Sequence, residues 1–141
     1  MDRFHGYCKA LQENRIPIRE EWILEDRDLE TGDVAIENLP KKMPSAFVCN
    51  CDFIANELVK KLLESGYSIP DDISVVGFDN FSKNNYNDLG ITSYDVNIHS
   101  MTEKAVERVF QKLDGRVSIN EEDALQVVLG KIIEKDSVKN L

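Results

Sequence analysis

The chain has 141 residues, of which 42% are hydrophobic and 30% are charged, and its formal net charge is −9. This length suits one domain with a buried core. The acidic balance argues against direct nucleic-acid binding, which needs clustered Lys and Arg, and no apolar run is long enough to cross a bilayer. Three cysteines without framework spacing favour a reducing cytoplasm, and the first residues lack the apolar core of a signal peptide.

The beginning of the chain predicts one helix followed by shorter elements. Residues 2–14 carry an apolar stripe at helical spacing, formed by Phe4, Tyr7, Cys8 and Leu11. Pro17 prevents the helix from continuing. A short strand is expected at 20–24 around Trp22, and a modest helix is expected at 31–39.

The centre of the chain predicts a strand, a helix and a second strand. A short apolar run at 47–49 leads to Asp52, whose carboxylate is expected to cap the first turn of the helix. Gly66 can take the left-handed conformation that ends helices, and residues 73–78 have the β-branched and aromatic composition of a buried strand. Such a unit is parallel and right-handed, and ligands bind at the carboxyl ends of its strands, here at Asn50–Asp52 and at Asp79–Asn80.

The last part of the chain predicts another strand, a helix and closing strands. Residues 91–96 are a strand candidate, and Ser100 and Glu103 have the capping-box spacing of a helix that ends near Gly115. Polar loops are expected at 81–90 and 116–123, and the last strands at 125–129 and 131–133.

These motifs together resemble the effector-binding domain of the LacI/GalR family of transcriptional regulators. The family's Ala-Asn-Asp strand end is similar to Asn50-Cys51-Asp52, and its second strand end is similar to Ile73-Ser74-Val75-Val76-Gly77-Phe78-Asp79-Asn80. Weaker matches are Arg3-Phe4-His5-Gly6-Tyr7, Ile91-Thr92-Ser93-Tyr94, Met101 to Val106 (with Thr102 in place of Gly) and 132–138. The resemblance implies an α/β fold, one lobe of a periplasmic-binding-protein-like (type I) fold with a mainly parallel sheet flanked by helices.

The resemblance also implies how the chain is divided. Residues 1–95 correspond to the C-terminal lobe, 96–115 to a crossover and a helix of the other lobe, and 116–141 to a return segment and the last strand. The family's DNA-binding head and first lobe have no counterpart in this sequence, which is expected to be a truncated effector-binding domain. The helix at 101–113 would then lack its partner, and we expect a second copy of the chain, in a homodimer, to cover it and the exposed strand edge.

Four candidate ligand residues follow from the matched motifs. By resemblance Asp79 and Arg3 contact hydroxyl groups of the effector, as a carboxylate and a guanidinium can. Cys51 stands where the family usually has Asn, so a different hydroxyl pattern is expected, and Asp52 lies next to it. The structural alternatives are an Asx-turn at Asp79, a disordered terminal Arg3 and an N-cap at Asp52.

Two apolar side chains and a cysteine pair are weaker candidates. Trp22 could stack on a sugar ring, although a single Trp is more often part of the core, and Leu29 could form a cleft wall. Cys49 and Cys51 lie two residues apart, but paired metal-ligand spacings are missing, so core thiols are expected and neither a metal nor a cofactor is.

The leading hypothesis is the effector-sensing lobe of a cytoplasmic LacI-type regulator that binds a small sugar or polyol and reaches DNA only through a head absent from this chain. The alternative is a sugar-binding protein of an ABC transporter, which shares the fold and would need an export signal. An enzyme is disfavoured because the sequence has no phosphate loop, no Gly-x-Gly-x-x-Gly, no nucleophile elbow and no credible Ser-His-Asp set.

Overall fold

A computed structural model of the chain describes residues 2–81, 86–114 and 126–140. It contains the helices α1 (Asp2–Glu13), α2 (Asp52–Glu64) and α3 (Ile98–Leu113) and the strands β1 (Ala46–Val48), β2 (Ser74–Phe78), β3 (Thr92–Asp95) and β4 (Lys131–Ile133). Short 3₁₀ turns lie at Glu20–Trp22 and Tyr86–Asp88.

The four strands form one sheet in the order β1-β2-β3-β4. The first three strands are parallel, with Val76 of β2 paired to Val48 on one side and to Thr92 on the other. The last strand, β4, pairs antiparallel to β3. The predicted α/β architecture with a mainly parallel sheet is therefore confirmed, and all three parallel strands end at the same edge.

The core lies between α2 and one face of the sheet. Ala55, Val59 and Leu62 follow at helical spacing and are fully buried against Val75 of β2 and Ile91 before β3. The structure corrects the cap prediction, because Cys51 is the N-cap of α2 and makes no side-chain cap hydrogen bond. Asp52 is instead the first helical residue, and its carboxylate points into the interior.

Two elements predicted before β1 do not form. The segment predicted as a strand at 20–24 starts as a 3₁₀ turn and continues without strand pairing, because it has no neighbouring strand edge. The helix predicted at 31–39 is wrong as well. The Asp28 carboxylate accepts hydrogen bonds from the backbone N–H of Glu30 and Thr31, at 2.9 and 2.7 Å, and folds a tight turn instead.

The third helix starts earlier than the capping-box spacing predicted. Asn97 is its N-cap and accepts a hydrogen bond from the Ser100 N–H at 3.3 Å, so α3 begins at Ile98. The strand at 131–133 is confirmed, whereas residues 126–130 are not a strand and Leu125 lies outside the described residues. The predicted loop at 116–123 also lies outside them, as do residues 82–85 of the loop predicted at 81–90.

Helix α3 packs little of its surface within this chain. None of its described residues is buried, and Phe110 and Leu113 are 61% and 75% exposed. The exposed apolar stripe consists of Met101, Val106, Val109, Phe110 and Leu113. None of the helices in the described ranges has the length and apolar character needed to span a membrane.

Candidate functional site at the carboxyl edge of the sheet

Asp79 follows β2 directly and lies at the carboxyl edge of the sheet. Its φ is 89° and that of Asn80 is 53°, so both residues take the left-handed conformation. The backbone N–H of Asp79 donates to the Tyr94 carbonyl oxygen at 2.9 Å, and Asp79 Oδ1 accepts from the Phe81 N–H at 3.1 Å. The hydrogen bond of an Asx-turn, which was the structural alternative for Asp79, is therefore present. It orients the carboxylate.

The surroundings of Asp79 favour its protonated form. Burial is the main cause that raises the pKa of this carboxyl group, and the negative charge of Asp52 adds to the effect. The hydrogen bond from the Phe81 N–H and the positive charge of Arg3 oppose it. The carboxylate thus lies in a partly dehydrated position within reach of the Arg3 charge.

Arg3 reaches the same edge from the first turn of α1. Its Nη1 donates to the backbone oxygen of Asn50, which lies two residues after the end of β1. Its guanidinium carbon lies 4.1 Å from the centroid of the Phe78 ring, and Phe78 stacks on Tyr94 with ring centroids 5.3 Å apart. Arg3 is therefore placed by two contacts, and the alternative of an unplaced terminal arginine does not describe this structure.

Asn50 is a polar residue at this edge that the sequence reasoning did not single out. Its Nδ2 donates to Asp26 Oδ2 at 2.9 Å, and Asp26 Oδ1 lies 3.9 Å from Arg27 Nε. A signal was available, because Asn50 follows β1 in the way that Asp79 follows β2. Three of the edge residues, Arg3, Asn50 and Asp79, come from the start of α1 and the ends of β1 and β2.

Asp52 is placed less openly than a ligand residue requires, whereas Cys51 is not. Asp52 is only 1% exposed, and its Oδ1 accepts a hydrogen bond from Ser93 Oγ at 2.6 Å. Gly77 leaves room for this carboxylate, because a Cβ there would lie 2.1 Å from Asp52 Oδ1. Cys51 is half-buried in the N-cap position of α2.

Trp22 and Leu29 belong to the segment between α1 and β1. Trp22 is half-buried, its Nε1 donates to the Lys42 carbonyl oxygen at 2.8 Å, and the Arg19 guanidinium lies 4.9 Å from its ring centroid. Leu29 is 92% exposed in the turn organised by Asp28. The structure therefore brings Arg3 and Asp79 together and does not bring Leu29 to them.

A cavity of about 300 Å³ lies beside β1, next to this edge. Arg3 and Asn50 border it, but Asp79 does not. The other lining residues are mainly apolar: Phe4, Tyr7, Trp22, Ile23, Leu24, Asp26, Ile36, Pro44, Ala46, Phe47, Val48, Cys49, Ile54 and Leu58. This volume is at the lower end of the range for small-molecule pockets.

The described residues hold no cluster of three or more His, Cys, Asp or Glu side chains that could bind a metal ion. Burial raises the pKa of the Cys49 thiol to about 12, so this group remains protonated at neutral pH. Cys49 is part of the core cluster.

Comparison with known proteins identifies the class of this domain. Residues 1–138 match the family model of the periplasmic binding protein-like domain. The chain is 32% identical over 149 residues to the HTH-type transcriptional repressor PurR of Glaesserella parasuis and 35% identical over 140 residues to PurR of Yersinia pestis. These alignments cover 99% and 96% of this chain but 43% and 40% of the relatives.

Solved structures of LacI-type regulators have the same fold. A LacI-type transcription regulator from Bifidobacterium animalis subsp. lactis superposes with a TM-score of 0.79 at 23% identity, over 98% of this chain and 50% of that chain. The Escherichia coli repressor ascG gives 0.74 at 24% identity, over 96% and 49%. A sugar-binding transcriptional regulator of the LacI family from Escherichia coli, complexed with phosphate, gives 0.71 at 23% identity, over 96% and 49%.

The chain belongs to the periplasmic binding protein-like domain family. Its relatives and structural neighbours confirm the resemblance to the effector-binding domain of LacI-type transcriptional regulators. The chain spans less than half the length of the curated relatives and about half the length of these solved structures.

Proposed function

We propose that this chain is the effector-sensing part of a LacI-type transcriptional regulator. It binds a small sugar or polyol at the carboxyl edge of the sheet, beside Asp79. The observation that carries the proposal is the convergence of Arg3 and Asp79, which are distant in sequence, on the mouth formed by the ends of β1 and β2.

The chemistry of this edge suits a ligand that carries several hydroxyl groups. Asp79 is a hydrogen-bond acceptor when ionised, whereas Arg3 is only a donor, so together they can serve both sides of a hydroxyl. The Phe78 ring contacts the Arg3 guanidinium and stacks on Tyr94, which holds Arg3 in place at this edge. A preformed mouth with a few placed polar groups is typical of small-molecule sites.

In a complete regulator the effector would lie between two lobes and favour one of their relative orientations. That change would be passed to a DNA-binding head, so that effector and DNA binding are coupled through two states of the protein. The complete protein would act in the cytoplasm, where its operator is. The net charge of −9 on this chain is consistent with a sensing role rather than contact with DNA.

The test is a thermal melt of the chain in the presence of sugars, sugar phosphates and polyols at high millimolar concentration. Purine bases are included because a planar heterocycle could also lie between an aromatic ring and a carboxylate. A ligand that binds only the folded chain raises stability as RT ln(1 + [L]/Kd), so weak binding is measurable. We expect a dose-dependent rise in Tm for one class of compound.

Asp79→Asn and Glu64→Gln form the matched pair for this experiment. Both remove one negative charge, but Glu64 is exposed at the end of α2 opposite to Asp52, away from the carboxyl edge of the sheet. The proposal predicts that the ligand-induced rise in Tm is lost in Asp79→Asn and kept in Glu64→Gln. A rise that survives equally in both variants would contradict it.

A further inference from the structure

The turn that carries Asp79 has an unusual backbone. Asp79 and Asn80 are consecutive residues other than glycine with positive φ, 89° and 53°. L side chains disfavour this conformation, although Asp and Asn tolerate it better than most residues. Such a pair persists only where the surrounding structure holds it in place.

A buried hydroxyl supports the turn from below. The backbone N–H of Asn80 donates to Ser93 Oγ at 3.1 Å, and the Ser93 hydroxyl donates to Asp52 Oδ1 at 2.6 Å. Ser93 is 0% exposed. Because the Ser93 hydroxyl donates its hydrogen bond to the Asp52 carboxylate, the lone pairs of Ser93 Oγ are left to accept from the Asn80 N–H.

A lysine from the segment after β4 holds the same turn by its side chain. Lys135 Nζ donates to Asn80 Oδ1 at 2.9 Å. The backbone N–H of Lys135 donates to Thr92 Oγ1 at 2.9 Å, so the lysine is itself fixed to β3. An ammonium group can only donate, which requires the amide oxygen of Asn80 to face it.

We propose that Ser93 and Lys135 are positioning residues for the Asp79 carboxylate, because they hold the left-handed Asp79–Asn80 turn in the geometry that presents this carboxylate at the mouth of the sheet. The proposal rests on the proposed function for the role of Asp79 in binding. It extends the site to two residues that lie 14 and 56 positions away along the sequence and links the segment after β4 to effector recognition.

The turn can be tested without a ligand, by amide hydrogen exchange measured with ¹⁵N NMR. Lys135→Met keeps an apolar stem and removes the ammonium group. Lys139→Met is the matched control, because Lys139 lies on the same segment and its Nζ lies 3.4 Å from Asp71 Oδ1, away from the turn. We expect exchange at the Asn80 and Phe81 amides to rise about tenfold in Lys135→Met relative to Lys139→Met, since the turn opens locally.

The titration of Asp79, followed by carbon-detected NMR, separates positioning from general stability. Burial raises the pKa of Asp79, so a carboxylate released from its position should titrate closer to an ordinary aspartate in Lys135→Met. Loss of a positive charge alone would move the midpoint upward, which is the opposite direction. The proposal would be overturned if Lys135→Met had the same amide exchange at Asn80 and Phe81, or the same titration midpoint of Asp79, as Lys139→Met.

Ser93→Ala is a second variant, in which exchange at Asn80 is expected to rise further. If Ser93→Ala does not fold, the comparison of Lys135→Met with Lys139→Met decides alone.

Binding of the effector to these variants is measured separately. A compound that raises Tm should bind at least about tenfold more weakly to Lys135→Met than to Lys139→Met, in line with misplaced recognition groups. If exchange rises in Lys135→Met as expected but no compound binds the chain, the proposed function is refuted and the role of Ser93 and Lys135 in holding the turn stands.

Discussion

Asp79 illustrates how a residue that we propose to serve binding can weaken the fold. Its pKa is raised in the folded chain, chiefly by burial, so folding favours the protonated carboxyl group. The contribution of Asp79 to the free energy of unfolding is therefore fully present below the ordinary pKa of an aspartate and is lost as pH rises through the raised folded pKa. At neutral pH, holding the ionised Asp79 in its partly buried position lowers the free energy of unfolding.

We therefore predict that Asp79→Asn gains stability relative to the wild-type chain as the pH is raised from about 4 to 7, across the ordinary aspartate range. Urea denaturation at both pH values measures the difference. Asp28→Asn should show the opposite trend, because hydrogen bonds from the backbone of Thr31 and Glu30 lower the pKa of Asp28. The stabilisation from Asp28 is present above its ordinary pKa and is lost as pH falls through the lowered folded pKa, so this variant is measured between about pH 2 and 4. Stability of Asp28→Asn that falls relative to the wild type as the pH is lowered would contradict this assignment.

The cysteines provide a second prediction at the same scale. Cys49 is buried and its pKa is raised to about 12, whereas Cys8 and Cys51 are partly exposed. Thiolate is the reactive form, so a thiol reagent at pH 8 should modify Cys49 at least about a hundredfold more slowly than the other two in the folded chain. Mass spectrometry of peptides after timed labelling measures this, and rapid labelling of Cys49 would show that β1 opens readily.

At the scale of the elements, the approach of α2 to β2 depends on Gly77. A Cβ at Gly77 would lie 2.1 Å from Asp52 Oδ1 and 3.1 Å from Ile91 Cγ2, so the helix start or the strand must move. We predict that Gly77→Ala lowers the free energy of unfolding by about 1–3 kcal/mol, the usual cost of overpacking.

Gly6→Ala is the control for this substitution. Gly6 lies within α1, and a Cβ there would have no atom within 4 Å, so the variant should gain about 0.5–1 kcal/mol from the better helix propensity of Ala. Urea denaturation measures both variants. A Gly77→Ala chain as stable as the wild type would mean that the packing of α2 on the sheet tolerates a shift.

The elements also show what the sequence could and could not predict. Helices α1 and α2 and strand β2 have strong periodic or β-branched patterns, and they formed within a residue or two of their predicted bounds. The predictions at 20–24 and 31–39 failed because a strand needs a pairing edge and a short helix is easily replaced by a local turn such as that of Asp28.

The site also contains residues that the sequence predicts and contacts that it does not. The rule that ligands bind at the carboxyl ends of parallel strands predicted the position of Asp79, and the family resemblance predicted Arg3, which lies at the same edge. The contacts of Asn50 with Asp26, and of Asn80 with Lys135, join residues 24 and 55 positions apart. Local sequence patterns carry no information about such pairs, since they depend on how the whole chain folds.

For the whole molecule, the apolar stripe on α3 is a feature that the described residues leave uncovered. We predict that a second copy covers it, so that the chain is a dimer at tens of micromolar by light scattering, because burying a stripe of this kind is favourable. Phe110→Glu should shift the mass to that of a monomer. Lys104→Glu, which introduces the same side chain on the face of α3 opposite the centre of the stripe, should leave the dimer intact. A monomeric wild-type chain would contradict the prediction.

The most direct test of the proposed site is an NMR titration of ¹⁵N-labelled chain with the compound that raises its Tm most. Binding beside Asp79 predicts the largest amide shift changes at 79–81, with none of comparable size in Asp79→Asn. Changes centred instead on Trp22, Leu24 and Ile36 would place the ligand in the cavity beside β1, and would contradict the account of Asp79 as the effector-binding carboxylate.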